Sequence, residues 1–207
     1  MKKIFTTLFI VLGVYSLTQA QSKKTMEFGV SGGINASYVT SSQQNSVSPG
    51  LIWAPNFAVS AERAINDQWG IKAKVIYDPK GWGDGYYASN GKTVTGVYYS
   101  INYITIPIAA TIHFGSENNW YANLGPYVGF LLSAKENYAN TDLKSSFNST
   151  DFGAAGGLGI QFPLNNKLKI FFEYEGQLGF SNILVNLTSY SDGAQNFRSA
   201  FNLGLKF

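Results

Sequence analysis

Between Trp120 and Leu132 the chain alternates with a period of two. Trp120, Ala122, Leu124, Pro126, Val128, Phe130 and Leu132 form one apolar row, while Tyr121, Asn123, Gly125, Tyr127, Gly129 and Leu131 form a second row of small, polar or aromatic residues. Successive side chains of a strand point to opposite faces, so this pattern predicts a strand between two unlike environments. Ordinary strands run to about five or six residues, whereas a tilted strand of about nine to eleven is what a bilayer crossing requires. The stretch is long enough to cross.

Seven further segments alternate in the same way: about Phe28–Tyr38, Leu51–Ala61, Trp69–Tyr77, Tyr98–Phe114, Phe152–Phe162, Leu168–Phe180 and Phe197–Phe207. No helical periodicity competes with them. Their connections alternate too. Those near 39–50, 79–96, 134–151 and 181–196 are long and rich in Ser, Asn, Gly and Tyr, and those near 62–68, 115–119 and 163–167 are short. Long loops on one side and short turns on the other are the habit of an outer-membrane barrel. The prediction is an all-β, eight-stranded antiparallel up-and-down transmembrane β-barrel over residues 21–207, with both termini on the short-turn, periplasmic side.

In lipid every backbone polar group must pair within the protein, so the sheet must close and the apolar row must face outward. A barrel of about eight strands has an interior that side chains just fill. Glu27, Glu62, Lys72, Lys74, Lys169, Glu173, Glu175, Arg198 and Lys206 fall on the inward row. Buried charges persist when paired, so Lys72, Lys74, Lys169, Glu173, Glu175 and Arg198 are expected to form an interior charge network. Trp53, Trp69, Trp82 and Trp120 lie near segment ends, where aromatic girdles belong.

Composition agrees with a wall facing lipid. Charged residues are 13% of the chain, against about a quarter in soluble domains. Lys2 and Lys3, the apolar run Ile4–Leu17 and the small residue Ala20 read as a signal peptide over residues 1–20, cleaved before Gln21. No cysteine follows that run, which excludes a lipid-anchored lipoprotein, and the absence of cysteine also removes disulfides, thiolate nucleophiles and Cys-ligated zinc. Losing two lysines with the leader lowers the formal net charge from +3 to +1, so no basic face for nucleic acid is implied.

The chain resembles the PorT-like outer-membrane β-barrel family of Gram-negative bacteria. The resemblance rests on Phe28-Gly29-Val30, Gly33-Ile34-Asn35, Tyr77 with Gly81, Asn102-Tyr103-Ile104-Thr105-Ile106-Pro107, Gly125-Pro126-Tyr127-Val128-Gly129, Phe152-Gly153, Gly157-Leu158-Gly159 and the terminal Phe207. It implies an eight-stranded barrel in the cell outer membrane and a C-terminal signal, Leu205 and Phe207, read by the barrel-assembly machinery. One member of that family belongs to a protein secretion system, and most members have no assigned activity.

Candidate chemistry is sparse. His113, the sole histidine, is a conceivable general base, yet no nearby Ser or Asp completes a triad. Glu173 and Glu175 point the same way about 7 Å apart by strand rise, near a glycosidase spacing, but the interior network is the favoured reading. The run Gly153–Gly159 lacks phosphate-loop spacing and opens no helix; its glycines are expected to make room for bulky interior neighbours or let strands bend. One histidine and scattered carboxylates give no metal site. The sequons at Asn35, Asn148 and Asn186 are chance matches. In the long 78–96 connection Trp82, Asp84, Tyr86 and Tyr87 are candidates for recognising a protein or glycan partner, or for the upper girdle. The expectation is a non-enzymatic outer-membrane barrel without cofactors, its loops available for recognition, with a possible accessory role in secretion or envelope assembly. Its rivals are a membrane-embedded enzyme acting on lipid or peptide, a narrow transport channel and a soluble lipocalin-like barrel.

Overall fold

A computed structural model describes residues 26–41, 50–89, 92–185 and 193–207. The expected signal peptide and the sequon at Asn186 lie outside the described residues. Eight strands run in chain order: β1 (Met26–Ser41), β2 (Ile52–Ala64), β3 (Trp69–Ser89), β4 (Lys92–Phe114), β5 (Trp120–Glu136), β6 (Thr150–Pro163), β7 (Lys169–Gly179) and β8 (Ala194–Lys206). Each pairs antiparallel with its sequence neighbours, and β8 returns to β1, closing the barrel. Closure extends to the last residue. Phe28 and Phe207 exchange both backbone hydrogen bonds, each 2.8 Å, and their rings lie 6.5 Å apart.

Two of the short turns share one device. Ile65 N–H donates to Trp69 O and Leu164 N–H to Leu168 O. The side-chain oxygens of Asn66 and Asn165 then accept the N–H groups two and three residues on, an Asx turn that needs no extra length. In the β4–β5 turn Gly115 and Asn118 take positive φ.

The predicted alternation sets the two faces. Phe57, Val59, Ile71, Leu124, Phe130, Phe152, Leu158, Phe172, Leu178, Phe201 and Leu203 are exposed, and the inward row is buried. Glycines at inward positions make space for large rings. A Cβ on Gly159 would lie 2.2 Å from Cζ of Tyr121, and one on Gly204 would lie 2.5 Å from Cζ of Phe171. Two ammonium groups also crowd Tyr121, with Nζ of Lys72 4.3 Å and Nζ of Lys206 4.6 Å from its ring centroid. With the ring unable to retreat, Gly159→Ala is expected to cost at least the 1–3 kcal/mol or so typical of overpacking, read as a lowered urea midpoint of the refolded barrel.

The largest departure from the sequence pattern is the β3–β4 connection. A loop over 79–96 was expected; instead β3 and β4 continue past the apolar band as a hairpin, pairing from Lys80↔Ile101 to Ser89↔Lys92 with register shifts near Gly85. Above the band lipid no longer selects bulky outward residues, so the apolar alternation fades although the ladder persists. On β5 the band ends at Leu132, and Lys135 is exposed beyond it. There Glu136 anchors the next loop by accepting N–H groups of Tyr138, Ala139 and Thr141 at 2.6–3.0 Å. Burial opposes its charge, but these bonds prevail and hold its carboxyl below the ordinary range.

Candidate functional site

The barrel interior holds the charged residues in stacked tiers. Nearest the short turns, Lys169 pairs with Glu27 at the half-exposed rim. Just inside, Glu62 accepts from His113 at 2.5 Å and from Lys206 at 3.1 Å. A cavity of about 180 Å³ opens here, lined by Glu27, Glu62, His113, Glu117, Gln161 and Lys169 among others. His113 is therefore committed to a carboxylate at the short-turn end, and among the described residues no serine lines the cavity beside it.

The middle tier joins Lys72, Lys74, Glu173, Glu175 and Arg198. Glu173 accepts from Lys72 at 2.9 Å, from Lys74, and from Asn123 at 3.0 Å. Glu175 accepts from Lys74 and Arg198. Both oxygens of each carboxylate are thus bonded within the tier.

The upper tier contains residues that the sequence reading assigned to loops or did not single out. Arg198 reaches Asp78 at 2.7 Å, and Lys80 reaches Asp151 at 3.1 Å. Asp151 also accepts from Tyr127, Ser181 and Asn196 at 2.8–3.1 Å. All four charged side chains are buried. The signal that could have revealed them is register: Asp78 and Lys80 continue the inward series Lys72, Lys74, Ile76 without a break.

Among the described residues, these ion pairs join six cations (Lys72, Lys74, Lys80, Lys169, Arg198, Lys206) to six carboxylates (Glu27, Glu62, Asp78, Asp151, Glu173, Glu175). The bonded network is neutral overall, which is how so many charges can be carried out of water.

Above it lies an apolar plug. Val39, Ile101, Tyr103, Leu131, Ala134, Phe147, Ile183 and Ala194 form one buried cluster, with Trp82, Leu143 and Leu184 packed against it. Two of the long connections supply its roof: the 3-10 turn Lys144–Ser146 leads into Phe147, which bridges to Leu184. Trp82 stacks on Tyr99 at 4.6 Å and approaches Phe147 at 6.1 Å, so its ring is engaged within the mouth. Asp84 is exposed on the hairpin at φ 54°. Tyr86 and Tyr87 sit on β3 opposite Thr95 and Val94, and their side chains lie outside the described part. The strand-end pair of the expected assembly signal faces outward at Leu205 and Phe207.

A closed ring of eight long strands, apolar outside and charged within, matches one known pattern along most of its length: residues 19–185 fit the family described as Outer membrane protein beta-barrel domain. The chain belongs to that family. Its place is the cell outer membrane. Among solved structures it resembles the outer membrane protein OprG of Pseudomonas aeruginosa, at 14% identity and TM-score 0.54, covering 90% of this chain and 98% of that one. Neisserial surface protein A is similar at 16% identity and TM-score 0.49, covering 87% and 97%. Ail of Yersinia pestis, solved in complex with the heparin analogue sucrose octasulfate, is similar at 17% identity and TM-score 0.45, covering 88% and 99%. At these identities the likeness speaks to fold alone. No curated protein matches the chain.

Proposed function

We propose that the protein is a non-enzymatic outer-membrane anchor whose extracellular hairpin and loops carry recognition of a protein or glycan. The observation that supports this best is the filled interior: three tiers of paired charge beneath an apolar plug leave the candidate acid–base groups bound to one another. The PorT-like motifs favour an accessory role in secretion or envelope assembly. On this reading the leader is cleaved on export, and Leu205 and Phe207 are read by the barrel-assembly machinery during insertion.

Two measurements test it. Purified protein in planar bilayers is expected to show no steady conductance; stable single-channel steps would favour the transport rival. Cells in which residues 84–98, the outer part of the hairpin, are replaced by a short Asn-Gly turn are expected to keep a heat-modifiable barrel, seen as a boiled-versus-unboiled gel shift, and to lose binding to glycan arrays or envelope partners. Undiminished binding by a correctly assembled variant would remove the hairpin from recognition.

A further inference from the structure

The wall of the barrel is not zipped all the way up. The β2–β3 ladder runs from Ala64↔Gly70 to Phe57↔Tyr77 and stops there, although β2 stays paired with β1 as far as Ile52 and β3 with β4 to the hairpin tip. Continuing the β2–β3 register places Pro55 opposite Pro79, two residues with no N–H to give. Above them one backbone pair, Gly50 with Gly83, joins the two sides, with bonds of 3.0 and 2.7 Å.

Along this open seam β3 runs behind β2. Pro79 and Gly81 stand on the outward row yet are buried, and a Cβ on Gly81 would lie 3.0 Å from the Ile52 side chain. The carbonyls that β2 leaves unpaired are taken from inside by β1. Asn35 Nδ2 donates to Pro79 O at 2.7 Å, and Ser37 Oγ to Gly81 O at 3.3 Å. Side-chain latches replace the missing backbone ladder. On the other flank β4 and β5 remain paired up to Tyr99↔Glu136, so β3, β4 and β5 form one sheet beyond the seam.

We infer that the β3–β4 hairpin is a hinged lid, closed in this structure. It opens along the β2–β3 seam by release of the Asn35 and Ser37 latches and of the Gly50–Gly83 backbone pair. Opening lifts Trp82 and Ile101 away from the rest of the plug and gives water access to the Asp78–Lys80–Asp151–Arg198 tier, while the Lys72–Lys74–Glu173–Glu175 tier keeps the lumen shut below. The position of the latches on β1, two strands away from β3, lets them break without unpairing any ladder.

The absence of native cysteine allows a single-thiol test on the full chain reconstituted in lipid vesicles. Val39→Cys reports from the plug, Lys135→Cys from the surface, and a charged, membrane-impermeant maleimide is read at residue 39 by mass spectrometry. The lid predicts that Val39→Cys reacts more slowly than Lys135→Cys and that adding Asn35→Ala and Ser37→Ala speeds it about tenfold or more, as the loss of two hydrogen bonds allows. It also predicts that an oxidised Gly50→Cys/Gly83→Cys cross-link suppresses the reaction. A rate at residue 39 that neither change alters overturns the lid and assigns any access to the roof loops. If the cross-link fails to form, the Ser37→Ala change alone decides, with an unchanged rate counting against the inference.

Discussion

Glu173→Leu is expected to lower the unfolding free energy of the barrel by about 3–5 kcal/mol, the usual cost of removing one partner from a buried pair. Glu173 is the acceptor for Lys72, Lys74 and Asn123, and it is 2% exposed. Leucine would remove the carboxylate that Lys72 binds, leave Lys74 with Glu175 alone and strand the Asn123 amide. Lys72→Leu should be milder, because Glu173 keeps Lys74. The double change Lys72→Met/Glu173→Leu should recover much of the loss, since an apolar pair of similar volume often costs little. Urea titrations of refolded protein in detergent, followed by tryptophan fluorescence, measure all three. Equal stability of Glu173→Leu and the parent would sink the assignment of these charges to a dry interior.

Leu124→Arg is the complementary experiment on the outer face. Leu124 is 70% exposed, and in a water-soluble barrel an arginine there would change stability by little. Facing the hydrocarbon within the apolar row of β5, it should cost about 2–4 kcal/mol. The penalty should shrink for an equivalent change at Trp120, nearer the interface. A depth-independent effect close to zero would mean that the apolar row meets water.

Much of the architecture is readable from period-two alternation, because lipid outside and packed charge inside select opposite residue types at every second position. That is why the eight segments and the inward places of Lys72, Glu173 and Arg198 can be marked from the chain alone. The selection ends where the lipid ends. Beyond Tyr77 the outward row of β3 is Pro79, Gly81 and Gly83, a composition shared by turns, so a paired hairpin looks like a loop. Asp78 and Asp151 were placed in connections for the same reason, although each completes an ion pair with a residue of a distant strand. Trp82 illustrates a further limit. Its proximity to a strand end is visible in the sequence, but whether its ring meets headgroups or the plug depends on Phe147 folding back over the mouth.

The interior ion pairs also constrain the order of assembly. Lys72 and Lys74 bind Glu173, Lys80 binds Asp151, Asp78 binds Arg198, Glu62 binds Lys206 and Glu27 binds Lys169. Each of these pairs ties a residue from the first four strands to one from the last four. A chain half inserted would carry three charges of each sign in its leading half, each lacking a partner that the last four strands supply. Insertion is thus driven towards a single concerted event, slow because its contacts are distant in sequence. The final strand, by bringing Arg198 and Lys206, satisfies the carboxylates of β2 and β3 at the same moment that it shuts the ring.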